Sequence, residues 1–253
     1  YTEDLSSSII GGYDHFDYKN VEKSSMFSEA ELTFKLDQYF LKANVSYRLN
    51  YQHTLKGGLQ TLAYNIMPGK YVPKGKYSKV ESSQLDDDRG LESAIYIEDN
   101  WELSQEVKFS GGVRVNLFNG LREGKTKNFM NPDFRFSASY TLDENSSVKA
   151  GFITSHQYIH KVSNTVIMSP TDTWILSNEK IKPQGGYQIS AGYYRQTKDK
   201  TYEMSGEVYY KGMKNYLTYR AGSQLIMNND IEDDVAPATG RAYGLELQLK
   251  KLY

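Results

Sequence analysis

The feature that most constrains this chain is the two-residue rhythm running from Asn131 to Ser155. Phe134, Phe136, Ala138 and Tyr140 share one parity, while Asp133, Arg135, Ser137, Ser139 and Thr141 share the other. Successive side chains of a strand point to opposite faces, so this run predicts a strand with one apolar and one polar face. Leu142-Asp143-Glu144-Asn145-Ser146 is short and polar and reads as a tight turn. Val148, Ala150 and Phe152 then alternate with Lys149 and Gly151. The pair is a hairpin, and its apolar face must rest on a second sheet or on lipid.

The same rhythm recurs along the chain. Residues 1 to 28, including Tyr13-Asp14-His15-Phe16-Asp17-Tyr18, are polar and patternless and predict a loop with room for a short strand. Ala30, Leu32, Phe34 and Leu36 alternate, and then the phase changes to Leu41, Ala43, Val45, Tyr47 and Leu49. A phase change predicts a bulge or a tight turn near Asp37-Gln38. Further alternating runs follow at Leu55 to Ala63, Ser93 to Leu103, Phe109 to Leu117, Tyr187 to Tyr193, Tyr202 to Tyr210 and Tyr243 to Leu249. Residues 67 to 91 and His156 to Pro183 read as long connections, and Asn119 to Met130 as a medium loop. Residues 212 to 240 read as a third long connection, with room for a small hairpin around Tyr216 to Met227.

Connections therefore alternate, short near 50, 105, 144 and 198 and long near 78, 125, 170 and 226. A soluble sandwich permits this pattern. A membrane barrel imposes it, with short periplasmic turns, long outer loops and a charged parity facing a wet interior. Over a soluble sheet protein, the pattern therefore favours an all-β, antiparallel transmembrane β-barrel, of which nine or ten strands are counted here. Phe134, Phe136, Val113, Val115, Tyr187, Ile189, Leu245 and Leu247 are assigned to its outer surface, and Arg135, Arg114, Gln188 and Glu246 to its interior.

Composition narrows the function classes. The 30 basic and 31 acidic residues balance, so no basic stripe points to nucleic acid. Cysteine is absent, which removes disulfides and thiolate metal sites. Mean hydropathy is -0.64 and no run of 18 uncharged apolar residues occurs, which excludes a transmembrane helix but not a barrel. The 22 Tyr suit an interfacial girdle or a sugar-stacking face. The opening YTEDLSSSII has no basic start followed by an apolar core, so an exported protein would carry this chain as a mature or internal piece.

Several segments resemble TonB-dependent outer-membrane receptors. Glu92-Ser93-Ala94-Ile95-Tyr96-Ile97-Glu98-Asp99-Asn100-Trp101-Glu102-Leu103, followed by Gly111-Gly112-Val113-Arg114, is similar to a barrel hairpin of that family, and Pro132-Asp133-Phe134-Arg135-Phe136 with Tyr140 to the strand after it. Tyr158-Ile159-His160, Ser163-Asn164-Thr165, Ser169-Pro170-Thr171-Asp172-Thr173-Trp174 and Ile181-Lys182-Pro183-Gln184 are similar to an outer loop of receptors from Bacteroidetes-type bacteria. Gly240-Arg241-Ala242-Tyr243-Gly244-Leu245-Glu246 is similar to a later strand start. The resemblance covers most of the chain from about residue 40.

The resemblance implies a place in the bacterial outer membrane and transport of a scarce solute (a siderophore, cofactor, oligosaccharide or peptide). It implies three kinds of partner besides that solute: outer-membrane lipid, a surface lipoprotein, and the TonB-ExbB-ExbD complex. Family barrels have about 22 strands and carry an N-terminal plug that engages TonB. The expectation is that residues 1-253 are part of the barrel domain, with the plug and the C-terminal strands lying outside them.

Chemistry-bearing residues are sparse. His156 and His160 are four apart, but in an extended segment that separation spans about 13 Å, too far for one metal. Asp86-Asp87-Asp88 lacks the spaced acidic-glycine pattern of a calcium loop and reads as a solvated charge run. No Ser lies in a nucleophile context, and Glu203 and Glu207 share one strand face as wall residues. No catalytic residue, metal site or cofactor is expected, and the chain is not read as an enzyme. What remains is ligand binding by aromatic residues of the outer loops, Tyr71, Tyr77, Tyr158 and Trp174, which present stacking surfaces. The competing reading is a soluble or surface-exposed β-sheet module that binds carbohydrate.

Overall fold

The computed structural model describes residues 4–25, 27–122, 125–162, 173–220, 223 and 227–252. The strands are β1 (Leu5–Ser25), β2 (Ser28–Arg48), β3 (His53–Pro73), β4 (Ser83–Gln84), β5 (Asp88–Glu102), β6 (Val107–Arg122) and β7 (Lys125–Asp143). They continue as β8 (Ser146–Gln157), β9 (Ile159–Val162), β10 (Thr173–Leu176), β11 (Gln184–Gln196), β12 (Tyr202–Tyr219) and β13 (Val235–Lys251), with one helical turn, α1 (Ile231–Asp234), before the last strand.

Ten long strands form a single antiparallel sheet in the order β1-β2-β3-β5-β6-β7-β8-β11-β12-β13, with β4 attached to the end of β3. Every long strand pairs with its neighbours in the chain order of long strands, an up-and-down meander. β1 and β13 are its two edges, so the sheet is an incomplete barrel. β9 and β10 form a separate hairpin.

Cross-strand register aligns the apolar parities into one continuous surface. Leu59 opposes Ile95, which opposes Val115 and then Pro132. Phe136 opposes Phe152, which opposes Ile189, then Tyr210 and Tyr243. Leu59, Ile95, Val113, Phe134, Phe136, Tyr187, Ile189, Leu245 and Leu247 are all exposed, and among the described residues no second sheet covers them. This is the lipid-facing band of a barrel. The opposite parity carries Gln60, Arg114, Arg135, Lys149, Gln188, Glu207 and Glu246, the wet interior wall.

Aromatic residues bracket the apolar band. Near the short turns lie Tyr47, Trp101, Phe109, Tyr140 and Tyr193; toward the long connections lie Tyr13, Tyr39, Tyr187, Tyr210 and Tyr243. Tyr39 and Tyr47 are eight residues apart on β2, about 26 Å of tilted strand, which suits the thickness of such a band. Immediately beyond Tyr39 the outer face turns polar. Asp37 accepts a hydrogen bond from Tyr13 Oη at 2.6 Å and faces His15 Nδ1 at 2.7 Å.

Several expected element bounds require correction. Residues 5–25, predicted to be loop, form the 21-residue strand β1. The phase change near Asp37-Gln38 is neither bulge nor turn: β2 runs unbroken from Ser28 to Arg48. Its early apolar residues Ala30, Leu32 and Phe34 are buried on the inner face, while Tyr39, Leu41 and Val45 face lipid. The bulge lies instead on β3, where Pro68 and Gly69 together oppose Phe34 and the register shifts between Thr33 and Lys35. Pro68 has no N–H to contribute to a ladder, which suits it to that position.

The Asn119–Met130 loop is mostly strand, because β6 and β7 remain paired out to Arg122 and Lys125. Of the small hairpin expected at Tyr216–Met227, β12 accounts for residues to Tyr219, and 221–222 and 224–226 lie outside the described residues.

Candidate functional site

The described part of the connection between β8 and β11 folds across the inner wall. The two faces of its hairpin have different work. Leu176, with Ile159 and Trp174, packs on Phe34, Tyr64, Ile66 and Phe118 of the wall, together with Tyr158. Val162 and Ile175 pack on Ile181, Ile231 and Val235, with Leu217 and Tyr219 beside them. The hairpin is therefore held between two apolar clusters. In such a pair of strands alternate residues face opposite ways, which is how four-residue strands supply both.

Polar bonds fix it further. Asp88, at the start of β5, accepts the Leu176 N–H at 3.2 Å, and Ser177 N–H donates to the Tyr158 carbonyl at 2.8 Å. Arg122 of the wall bonds to Glu232 of α1, which also accepts from Asn178 Nδ2 at 3.1 Å. Lys180 Nζ lies 2.6 Å from Asp233 Oδ1. The α1 turn is thus tied to both the wall and the connection. His160 is buried, with Nε2 2.9 Å from Ser177 Oγ and Nδ1 without a hydrogen-bond partner among the described residues. Burial pushes its imidazole down to about 4, because the charged ring would lose its hydration.

Beside this hairpin the inner wall of β3, β5, β6 and β7 presents a polar patch of two hydrogen-bonded groups. Tyr64 Oη donates to Glu92 Oε2 at 3.1 Å. Arg114 donates through Nη2 to Gln60 at 3.2 Å and through Nε to Asn116 Oδ1 at 2.7 Å. Asn116, 2% exposed, passes its amide to Asp133 Oδ2 at 2.7 Å, and Asp133 Oδ1 stands 2.7 Å from His156 Nδ1. The Arg114 guanidinium, the Glu92 carboxylate and the Gln60 amide on one wall can hold a polar solute by several simultaneous hydrogen bonds, while buried Asn116 fixes Arg114 and Asp133 in place.

The four aromatic candidates are not brought into one constellation. Tyr71 bonds to Glu22 at the rim formed by β1 and β3. Tyr77 is exposed in the connection after β3, where the Lys76 ammonium lies 5.7 Å from its ring centroid. Tyr158 is fully buried and donates to Asn131 Oδ1 at 3.1 Å. Trp174 is half-buried against the first cluster. Of the loop segments singled out in the sequence, 163–172 lies outside the described residues.

His156 and His160 have separate partners, and among the described residues no three acidic or histidine side chains converge as a metal site. The polar patch itself was missed by sequence reasoning. Glu92, Arg114 and Asp133 share the inward parity of their strands, but only the register between strands shows that Arg114 stands opposite Asp133, and only the fold brings both charges within electrostatic reach of Glu92.

Comparison with known proteins adds to this geometry. A family model described as "TonB dependent receptor-like, beta-barrel" matches residues 1–251. No curated protein matches the sequence. Among solved structures, the copper transporter OprC superposes with a TM-score of 0.73 at 12% identity, over 100% of this chain and 42% of its own. FpvA of P. aeruginosa bound to a heterologous pyoverdine gives 0.70 at 12% identity, over 99% of this chain and 36% of its own. The ferric yersiniabactin uptake receptor FyuA from Yersinia pestis gives 0.61 at 14% identity, over 100% of this chain and 38% of its own. The chain thus spans well under half the length of these structures.

Proposed function

From the premise that this chain belongs to the TonB-dependent receptor β-barrel family, we propose that it forms part of the wall and the ligand-binding chamber of a transporter for a scarce solute. Members of the family are outer-membrane proteins, and this chain is one. Its neighbours in structure include siderophore receptors and a copper transporter. The observation that carries the reading is the inward-folded β9–β10 hairpin set beside the Gln60–Tyr64–Glu92–Arg114 patch. A solute entering from the long-connection side would meet Tyr71 and Trp174 first and then the polar wall. Tyr77 offers a further stacking surface farther out. Tyr158 contributes by holding the hairpin against the wall.

In this reading the free edges of β1 and β13 are seams to which further barrel strands add. Energy arrives from the TonB-ExbB-ExbD complex through a plug elsewhere in the polypeptide, and a surface lipoprotein can cap the outer loops. The test is solute binding to the full-length receptor in detergent, read by tyrosine and tryptophan fluorescence. The probes are a ferric catecholate, ferripyoverdine, ferric yersiniabactin, copper(II), and representative oligosaccharides and peptides. Deleting residues 159–176 should weaken the best probe at least tenfold, and Arg114→Ala should weaken it as well. An affinity unchanged by both changes would sink the chamber reading.

A further inference from the structure

A second hollow opens on the opposite face of the sheet. It has a volume of about 630 Å³ and lies across β7, β8, β11, β12 and β13 on the long-connection side, where Phe134, Tyr187, Tyr210, His156, Lys214 and Arg241 line it. Glycine makes the space. Gly212 is overlaid by Tyr187, so closely that an added Cβ would lie 2.5 Å from the ring, and Arg241 is the register partner of Gly212. At Gly185 a Cβ would fall 2.8 Å from Lys214 Cε and 3.4 Å from His156 Nε2. The lysine stem and the imidazole therefore approach one point above a residue with no side chain.

A bulge supports the arrangement. The β12–β13 register shifts between Met213 and Tyr216, Asn215 takes a φ of 56°, and Lys214 is turned out onto the surface.

The charges of this hollow have one sign. No acidic residue lines it. Lys214 and Arg241 make neither an ion pair nor a hydrogen bond among the described residues, whereas the carboxylate behind His156, Asp133, is already engaged by Asn116. Height in the membrane matters equally. Tyr187, Tyr210 and Tyr243 belong to the aromatic girdle on the long-connection side, and Lys214 lies four residues beyond Tyr210 in that direction. Unpaired cations directly above an aromatic girdle sit at the level of lipid phosphates.

We propose that this hollow seats a phosphate of an outer-leaflet lipid headgroup. Arg241 offers a planar fork to two phosphate oxygens and Lys214 a point charge, while the acyl chains descend over Tyr187, Tyr210 and Phe134. The site faces lipid and not the chamber, so it is independent of which solute the protein carries.

The experiment is native mass spectrometry of the full-length receptor released from detergent with diphosphoryl lipid A, monophosphoryl lipid A or phosphatidylethanolamine. The wild type should retain diphosphoryl lipid A preferentially. Lys214→Ala and Arg241→Ala should each reduce retention roughly fivefold, the effect of one cation at a membrane surface, and Lys214→Arg should restore it. Lys211→Ala removes an equal charge from the same strand on the inner face and should change nothing. Gel mobility before and after heating establishes that each variant is folded. Equal loss in Lys211→Ala, or no loss in either outer-face variant, would overturn the proposal. Displacement by inorganic phosphate with no preference among the lipids would also overturn it, assigning the hollow to free phosphate.

Discussion

The rings of Phe118 and Tyr158 lie face to face, centroids 4.8 Å apart and planes 4° from parallel. One belongs to the barrel wall and the other to the connection folded across it, so this stack is the seam between scaffold and chamber. Phe118→Ala should loosen the hairpin by about 3–5 kcal/mol, the usual cost of deleting a buried phenyl ring. Tyr158→Phe keeps the stack and loses only the bond to Asn131, at about 1 kcal/mol. Limited proteolysis within residues 158–183 of the full-length receptor reads both, and equal cleavage of the two variants would contradict the stack's role.

Gly90 lies under the same seam. A Cβ there would meet Leu176 Cδ1 and the Phe118 ring at 2.9 Å. Gly90→Ala should cost about 1–3 kcal/mol of hairpin docking through overpacking. Hydrogen exchange at β9 and β10 should rise while exchange at β11 and β12 stays unchanged.

The buried His160 makes hairpin docking sensitive to acid. Its folded value is about 4 and its free value near 6.5, so below 6.5 the undocked form binds a proton that the docked form does not. Docking is therefore at full strength above about pH 6.5 and weakens as pH falls toward 4, by on the order of 3 kcal/mol at most. Proteolysis of the connection at pH 7 and pH 5 measures this. The expected acid sensitivity should disappear in His160→Gln, and its persistence there would place the responsible group elsewhere.

The two faces of the sheet should respond oppositely to charge. Val115→Arg and Leu247→Arg put a cation on the lipid face and should cost roughly 2–4 kcal/mol near mid-membrane. Ser137→Arg and Gln248→Arg place it in the wet interior and should cost little. Folding titrations of the full-length receptor in lipid vesicles compare the four, and equal penalties would mean that neither face touches lipid.

Much of the fold was legible because lipid and lumen impose opposite chemistry on alternate residues, and Phe134 to Tyr140 display that contrast without help from distant residues. The failures share a cause. Above the membrane both faces of a strand meet polar surroundings or protein, so the parity of hydrophobicity fades or inverts. In β1, His15 and Asp17 stand on the outer face while Phe16 and Tyr18 turn inward, and the strand reads as patternless. In β2, Phe34 is apolar because the chamber cluster covers it, and Leu41 is apolar because lipid does. The candidate site was less visible. Glu92, Arg114 and Asp133 come from three strands, and no local pattern announces that the fold gathers them on one stretch of wall.

That inversion within β2 also sets a waterline. Raising the strand by one dyad would lift Leu41 toward the headgroups, and lowering it would drag the Asp37–His15 pair into hydrocarbon. Both displacements are unfavourable, so the barrel has a fixed draught in the bilayer, and the chamber above it stands at a constant height over the membrane surface.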